Sequence, residues 1–222
     1  MNALALYLHG FASSPESSKA VRLAAALRPL GIATRIPDLN QPSFRALTVT
    51  RMIGQVREAI DAEVAQTVRP APPVLLIGSS LGAFVAVHAA AADPRVRALV
   101  LLAPALDFGA DEHGRVGTVA IDEWKRAGSA EVFHYAWDRP EMLDYALYED
   151  ARRYDAFALR LEIPVLMFQG RRDAVVSPAV VERWAAARSH VTLVTLDDDH
   201  QLQASLDTIV ERTKTFAATV LR

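Results

Sequence analysis

The sequence predicts an α/β protein in which about six mostly parallel strands form one sheet with helices on both faces. Three observations predict it. Short apolar runs alternate with longer helical patterns along the 222 residues. One run, 74–77, leads directly into an Ala-rich helical stretch, 81–92. Their junction reads Gly78-Ser79-Ser80-Leu81-Gly82, and a glycine on each side leaves room where a Cβ would collide as the chain reverses and the helix packs back on the sheet.

The runs at 4–8, 32–36, 74–77, 98–103, 164–168 and 191–196 read as strands. Between the first two, residues 17–30 read as a helix closed by Gly31. Residues 45–68 read as a long amphipathic helix with Met52, Val56, Ile60 and Val64 on one stripe. Ser177-Pro178 reads as an N-cap followed by proline at the first helical position, so a helix is expected from 178 to about 188. Leu202, Leu206, Ile209, Val210 and Thr213 set the inward face of a terminal helix.

One interval, 104–162, breaks the alternation. It carries Trp124, Phe133, Tyr135, Trp137, Tyr145, Tyr148, Tyr154 and Phe157, interleaved with charges and with helix-friendly stretches such as 141–154. It is expected to be a helical lid inserted in a single domain that spans 1–222, covering a pocket and excluding water from it. The plainer alternative is a helical excursion whose aromatics pack on the sheet.

Composition excludes several classes. The net charge is −2 with 24 basic and 26 acidic residues, and no long basic run offers a phosphate-binding footprint, so no nucleic-acid partner is expected. No apolar stretch is long enough to span a membrane and the first residues have no basic, signal-like start, which predicts a cytoplasmic protein without a membrane partner. The absence of cysteine rules out disulfides, thiolate metal sites and a cysteine nucleophile.

A Gly-x-Ser-x-Gly turn between strand and helix presents its serine hydroxyl outward, which makes Ser80 a candidate nucleophile. A serine hydroxyl needs a base to take its proton, and the base needs a partner that fixes its tautomer. His200 follows the last strand in the loop Asp197-Asp198-Asp199-His200, and Asp173 follows the preceding strand in Gln169-Gly170-Arg171-Arg172-Asp173. In a parallel sheet both loops lie at the carboxyl edge, where Ser80 also lies. Ser80, Asp173 and His200 are therefore the candidate catalytic residues.

That chain order, nucleophile then acid then base, is the order of the α/β-hydrolases, and His9-Gly10-Phe11 after the first strand is similar to the His-Gly-x turn of that superfamily. The resemblance implies an α/β-hydrolase fold, with the backbone N–H groups of Phe11 and Leu81 forming an oxyanion hole. Within the superfamily, residues 6–15 with Ser18-Lys19-Ala20, and Pro37-Asp38-Leu39-Asn40 followed by Leu47-Thr48, resemble the small bacterial YqiA-like esterases. The resemblance to larger relatives lacks their two leading strands, which implies a sheet without an antiparallel edge hairpin and more apolar surface for a partner subunit. It implies a serine esterase acting on a small-molecule ester or other acyl substrate, with no cofactor.

Each of these residues has a plainer alternative. Asp197, Asp198 and Asp199 rival Asp173 as the acid, but are expected to favour the start of the terminal helix by charge or capping. The same cluster lacks the second histidine or spaced carboxylate of a metal site, so no metal is expected. Ser79 adjoins the nucleophile but is not the residue the glycine frame selects. His9 is expected to organise its turn and His88 to be a hydrogen-bonded structural histidine; His113 and His134 are expected at the surface, with contact to substrate as the alternative, and Arg171 and Arg172 as a solvated pair, with binding of an anionic substrate group as the alternative. Thioesters, amides and lactones would use the same three residues. The rival from another class is a non-catalytic ligand-binding protein of the same fold.

Overall fold

The structure, a computed structural model, describes residues 3–66, 71–110, 115–116 and 119–221. Six strands, β1 (Ala3–Leu8), β2 (Ile32–Arg35), β3 (Val74–Ser79), β4 (Val96–Leu102), β9 (Val165–Gly170) and β10 (Val191–Leu196), form one sheet in the order β10-β9-β4-β3-β1-β2. Every pairing in it is parallel. The register aligns Leu8 with Gly78, Ser79 with Leu102, Leu102 with Phe168, and Gly170 with Leu196, so the carboxyl ends of five strands form one edge.

Alternation along the strands divides the core between two faces. Leu4, Leu6 and Leu8 of β1 join one cluster with Leu76, Leu99 and Met167. This face is covered by α2 (Val49–Ala65), α3 (Leu81–Ala92) and α6 (Pro178–Ala186). Ala5 and Tyr7 join the other cluster with Ile77, Val100 and Phe168, under α1 (Ser18–Leu27) and α7 (Leu206–Val220). Helix α3 is buried all round from Leu81 to Ala90, which suits a helix that lies between the sheet and a second layer.

The expected boundaries hold to within a few residues, with physical reasons for the shifts. The first helix ends in a 3₁₀ turn, Arg28–Leu30, and Gly31 closes it in the left-handed conformation at φ 73°. Helix α2 starts at Val49 instead of residue 45. Thr48 caps it by accepting the N–H of Arg51, while the Arg51 guanidinium donates to the carbonyls of Ser43 and Ala46 and holds that stretch as a loop. Residues 67–68 of the expected helix lie outside the described residues. Ser177 precedes α6 as expected, but its side chain makes no capping bond, and Pro178 alone pre-sets the first turn. Leu202 is buried with the terminal helix's inward face yet lies ahead of that helix, in a left-handed turn at φ 55°.

The segment between β4 and β9 is mixed rather than helical. It contains a short pair β5 (Arg115–Val116) and β6 (Val119–Ala120), helix α4 (Ile121–Ala127), an antiparallel hairpin of β7 (Ser129–His134) and β8 (Arg139–Asp144), and helix α5 (Ala146–Ala151). The helix-friendly stretch 141–154 is thus strand first and helix second. Pairing with β7 and a bond from the Trp124 indole to the Leu143 carbonyl (3.0 Å) override its local preference. The segment is tied to the rest of the core: Asp150 accepts the N–H and hydroxyl of Thr50 at 2.7 and 2.8 Å, and the Trp184 indole donates to the Ala156 carbonyl. Its hairpin leaves Phe133, Tyr135, Trp137 and Met142 exposed.

Candidate active site

Ser80 sits between the last residue of β3 and the first of α3, at φ 51° and ψ −115°. A non-glycine residue in this region costs on the order of 1–3 kcal/mol and persists only where its surroundings fix it. Here they do. The Ser80 N–H donates to the Leu102 carbonyl at 2.9 Å, and its own carbonyl accepts from Ala83 and Ala105. A Cβ on Gly78 would stand 2.5 Å from the Ala83 Cα, and one on Gly82 would stand 2.2 Å from the Leu8 oxygen. Both glycines of the frame are therefore required by close backbone approach. Positive φ recurs around this edge of the sheet, at Ala12 after Phe11, at Ala103 after β4 and at Leu202 after His200.

The turn after β1 runs beside Ser80, since a Cβ on Gly10 would be 3.4 Å from that of Ser80. His9 holds this turn. Its Nε2 accepts the N–H of Leu39 at 3.0 Å, so Nδ1 carries the hydrogen and donates to the Gly10 carbonyl at 3.0 Å. Burial keeps the ring below the usual histidine pKa and therefore neutral, in spite of Asp38 at 3.5 Å. Asn40 adds a bond to the Ser13 carbonyl at 2.9 Å. The stretch 37–40 thus serves to pin the Phe11 turn, as expected for His9. The N–H of Leu81 is the first of α3, where the helix offers it no acceptor.

Asp173 and His200 are brought together. His200 Nδ1 lies 2.9 Å from Asp173 Oδ2, which also accepts Nε2–H of Gln169 at 2.9 Å. Oδ1 accepts the N–H groups of Val175 and Val176 at 2.9 and 2.8 Å. Burial alone would raise the Asp173 pKa, but the His200 and backbone hydrogen bonds outweigh it and hold the carboxyl below its usual value. An ionised carboxylate only accepts, so Nδ1 of His200 carries a hydrogen, and the neutral ring in this tautomer has its lone pair on Nε2. Gln169, which is buried, escapes a sequence reading because its role depends on a partner four residues away across a loop. Gly170 is another, because a Cβ there would lie 2.5 Å from the Asp199 oxygen, so the strand end and the His200 loop touch backbone to backbone.

The rival acids are occupied elsewhere. Asp197 pairs with Arg172, Asp198 accepts the N–H groups of Asp199 and Ser205, and Asp199 accepts that of Gln201. Ser205 precedes α7, so Asp198 does anchor the terminal helix. Arg171 is exposed, as is Arg172 apart from its ion pair. Two histidine expectations need correction. His134 is buried, stacked on Trp137 at 3.8 Å and edge-on to Phe44, because the hairpin folds it inward. His88 is structural but its Nε2 has no hydrogen-bond partner. It lies edge-on to Phe84 and Tyr154, and burial lowers its pKa to about 4. His113 lies outside the described residues. Among the described residues no group of three His, Asp or Glu side chains is arranged to hold a metal, and no helix is long and apolar enough to cross a membrane.

A parallel six-stranded sheet with a strained serine turn after β3 and loops from β9 and β10 at the same edge defines an α/β-hydrolase fold. Solved structures share it closely. Est1E from Butyrivibrio proteoclasticus, with ferulic acid bound, superposes with a TM-score of 0.87 at 20% identity over 98% of this chain and 89% of that one. The esterase domain of a Rhodothermus marinus protein gives 0.70 at 24% identity over 99% and 88%. Mouse alpha/beta hydrolase domain-containing protein 10 gives 0.73 at 22% identity over 96% and 88%. At these identities the likeness is one of fold. The chain itself belongs to the uncharacterised protein family UPF0227, whose model matches residues 4–218, in agreement with the resemblance to the YqiA-like esterases. No curated protein matches it in sequence.

Proposed function

We propose that the protein is a serine hydrolase that cleaves carboxylic esters through an acyl-enzyme on Ser80. The Ser80 hydroxyl attacks the ester carbonyl carbon while His200 Nε2 takes its proton. Asp173 holds the opposite ring nitrogen and stabilises the imidazolium. The tetrahedral oxyanion accepts from the N–H groups of Phe11 and Leu81, the second of them at the positive end of α3. Collapse expels the alcohol, which leaves with the proton from His200. Water, activated by the same ring, then attacks the acyl-enzyme and releases the acid.

The observation that carries this reading is the backbone of Ser80, since a serine held at φ 51° serves no structural need that glycine would not meet better. The names of the structural neighbours, esterases among them, favour an ester over a thioester, amide or lactone. Residues 104–162 are read as a cap. The ring of Phe11 touches Phe44, which in turn meets His134 and Trp137 of the hairpin, so the wall beside the Phe11 N–H is aromatic and suits an uncharged acyl or aryl group.

A fluorophosphonate probe tests the reading. Stoichiometric labelling that is lost in Ser80→Ala, together with turnover of p-nitrophenyl esters, is the expected result. Folded protein that takes no label is a non-catalytic member of the fold. Labelling without ester turnover moves the substrate to thioesters, amides or lactones.

A further inference from the structure

Lys19 is the second residue of α1 and is 8% exposed. Neither place suits a lysine. The first turn of a helix carries the positive end of its dipole, and a buried ammonium loses hydration that a single partner does not restore. A methionine or leucine would fill the same buried space at less cost. The feature that accounts for a cation here is on another element. Lys19 Nζ donates to the carbonyl of Gln201 at 2.9 Å, across 182 residues of sequence and one residue beyond His200. Beside it the Ser18 hydroxyl donates to the side chain of Gln203 at 3.2 Å.

The loop so held is also tied to itself, the N–H groups of Gln201 and Leu202 donating to Asp199 and that of Ser205 to Asp198, but Lys19 is the tie that reaches it from α1. Its strand side rests on Gly170, where no Cβ fits against the carbonyls of Asp198 and Asp199. Its far side ends in Leu202 at φ 55°, a conformation a leucine adopts only when held there. The peptide between Gln201 and Leu202 is the one Lys19 fixes. His200 reaches Asp173 from the middle of this loop, and its ring direction follows from the path of the backbone on both sides. The acidic groups that act on the ammonium are Asp199, Asp198 and Asp173, so it also offsets a concentration of negative charge around the His200 loop.

We infer that Lys19 is a positioning residue for the candidate base: through the Gln201 carbonyl it fixes the loop that aims His200 at Asp173 and at the Ser80 turn. This rests on the triad reading above. It assigns a task to the Ser18-Lys19-Ala20 stretch, which the proposed chemistry does not otherwise use.

The test compares Lys19→Met with the wild type, using fluorophosphonate labelling to count competent sites and p-nitrophenyl ester kinetics normalised to that count. The expected result is full labelling at a reduced rate, kcat per labelled site lower by about 10- to 100-fold, and KM nearly unchanged, because misaiming a base by a fraction of an ångström acts on the transition state and not on substrate binding. Rescue uses the absence of cysteine from the chain. In Lys19→Cys, alkylation with 2-bromoethylamine restores an ammonium of nearly the same reach at that position alone, and most of the lost kcat should return. Normal kcat per labelled site in Lys19→Met, with only thermal stability reduced, overturns the inference. If Lys19→Met does not fold, Lys19→Gln, whose neutral and shorter chain falls short of the Gln201 carbonyl, is measured in the same way. Failure of both to fold assigns Lys19 to stability and overturns it too. Ser80→Ala and His200→Ala are run alongside: ester turnover surviving in either one sinks the triad reading itself, whereas their inactivity beside an unimpaired Lys19→Met sinks only the role of Lys19.

Discussion

Gln169 donates its side-chain amide to Oδ2 of Asp173 at 2.9 Å, the same oxygen that faces His200 Nδ1. With the two valine N–H groups on Oδ1, every direction in which the carboxylate could turn is taken. Gln169→Leu removes one of these restraints and leaves the others, so ester kcat should fall by about tenfold. Asp173→Asn changes the tautomer His200 adopts and should cost about 10³- to 10⁴-fold. Steady-state kinetics on a p-nitrophenyl ester separate the two. Equal losses would mean that the Gln169 bond is as necessary to the Asp173–His200 contact as the carboxylate itself, and would overturn its role as one restraint among several.

Ser80→Gly and Ser80→Ala should both be inactive yet differ in stability. Glycine relieves the strain at φ 51° whereas alanine retains it, so Ser80→Gly should be the more stable of the two by about 1 kcal/mol despite its more flexible unfolded chain. Urea denaturation of the two variants checks this.

Two glycines in helices should respond to alanine in opposite directions. In Gly82→Ala the new methyl group would lie within 2.5 Å of the Leu8 and His9 carbonyl oxygens, and backbone cannot give way as a side chain can, so a loss of about 3 kcal/mol is expected. Gly54 lies in α2 with nothing within 4 Å of an added Cβ, and Gly54→Ala should stabilise by roughly 0.5–1 kcal/mol. The midpoints of urea unfolding give both signs directly.

Acid should weaken the fold in two stages. Burial lowers the His88 pKa from 6.5 to about 4, so its neutral form contributes stability that is fully present above pH 6.5 and lost as the pH falls towards 4. His9 and His134, also lowered by burial, act with the same sign. Asp173 follows at lower pH: its depressed pKa contributes stability above the ordinary carboxylate value, lost as the pH falls through the folded one. Tm measured against pH should decline below 6.5, and His88→Phe should flatten that first decline. An unchanged slope would mean that His88 titrates as an exposed imidazole does.

The strands of the main sheet were legible because each is a short apolar run flanked by loop signals, and Asp173 and His200 were legible because they follow such runs. The hairpin β7–β8 was not. Glu141, Met142 and Leu143 favour helix locally, and the partner strand and the Trp124 indole that decide otherwise make themselves known only in three dimensions. The same holds for the inward turn of His134 against Phe44, since neither residue's neighbours in sequence announce the other. Gln169 and Lys19 are single polar residues without a pattern around them, and their meaning lies wholly in what they touch.

The strand order also sets an order of assembly. Strands β2, β1, β3 and β4 are neighbours in the sheet and end by Leu102, so the Ser80 turn and the His9 turn can be packed while more than half of the 222 residues are still to be made. Strands β9 and β10 add to the free edge of β4 only after 104–162 has emerged, and they bring Asp173 and His200 with them. A nascent chain folding from its N-terminus thus carries the hydroxyl long before it carries the base. On the proposed function, competence for hydrolysis would be the last property such a chain acquires, and a product truncated before β10 should show no ester turnover.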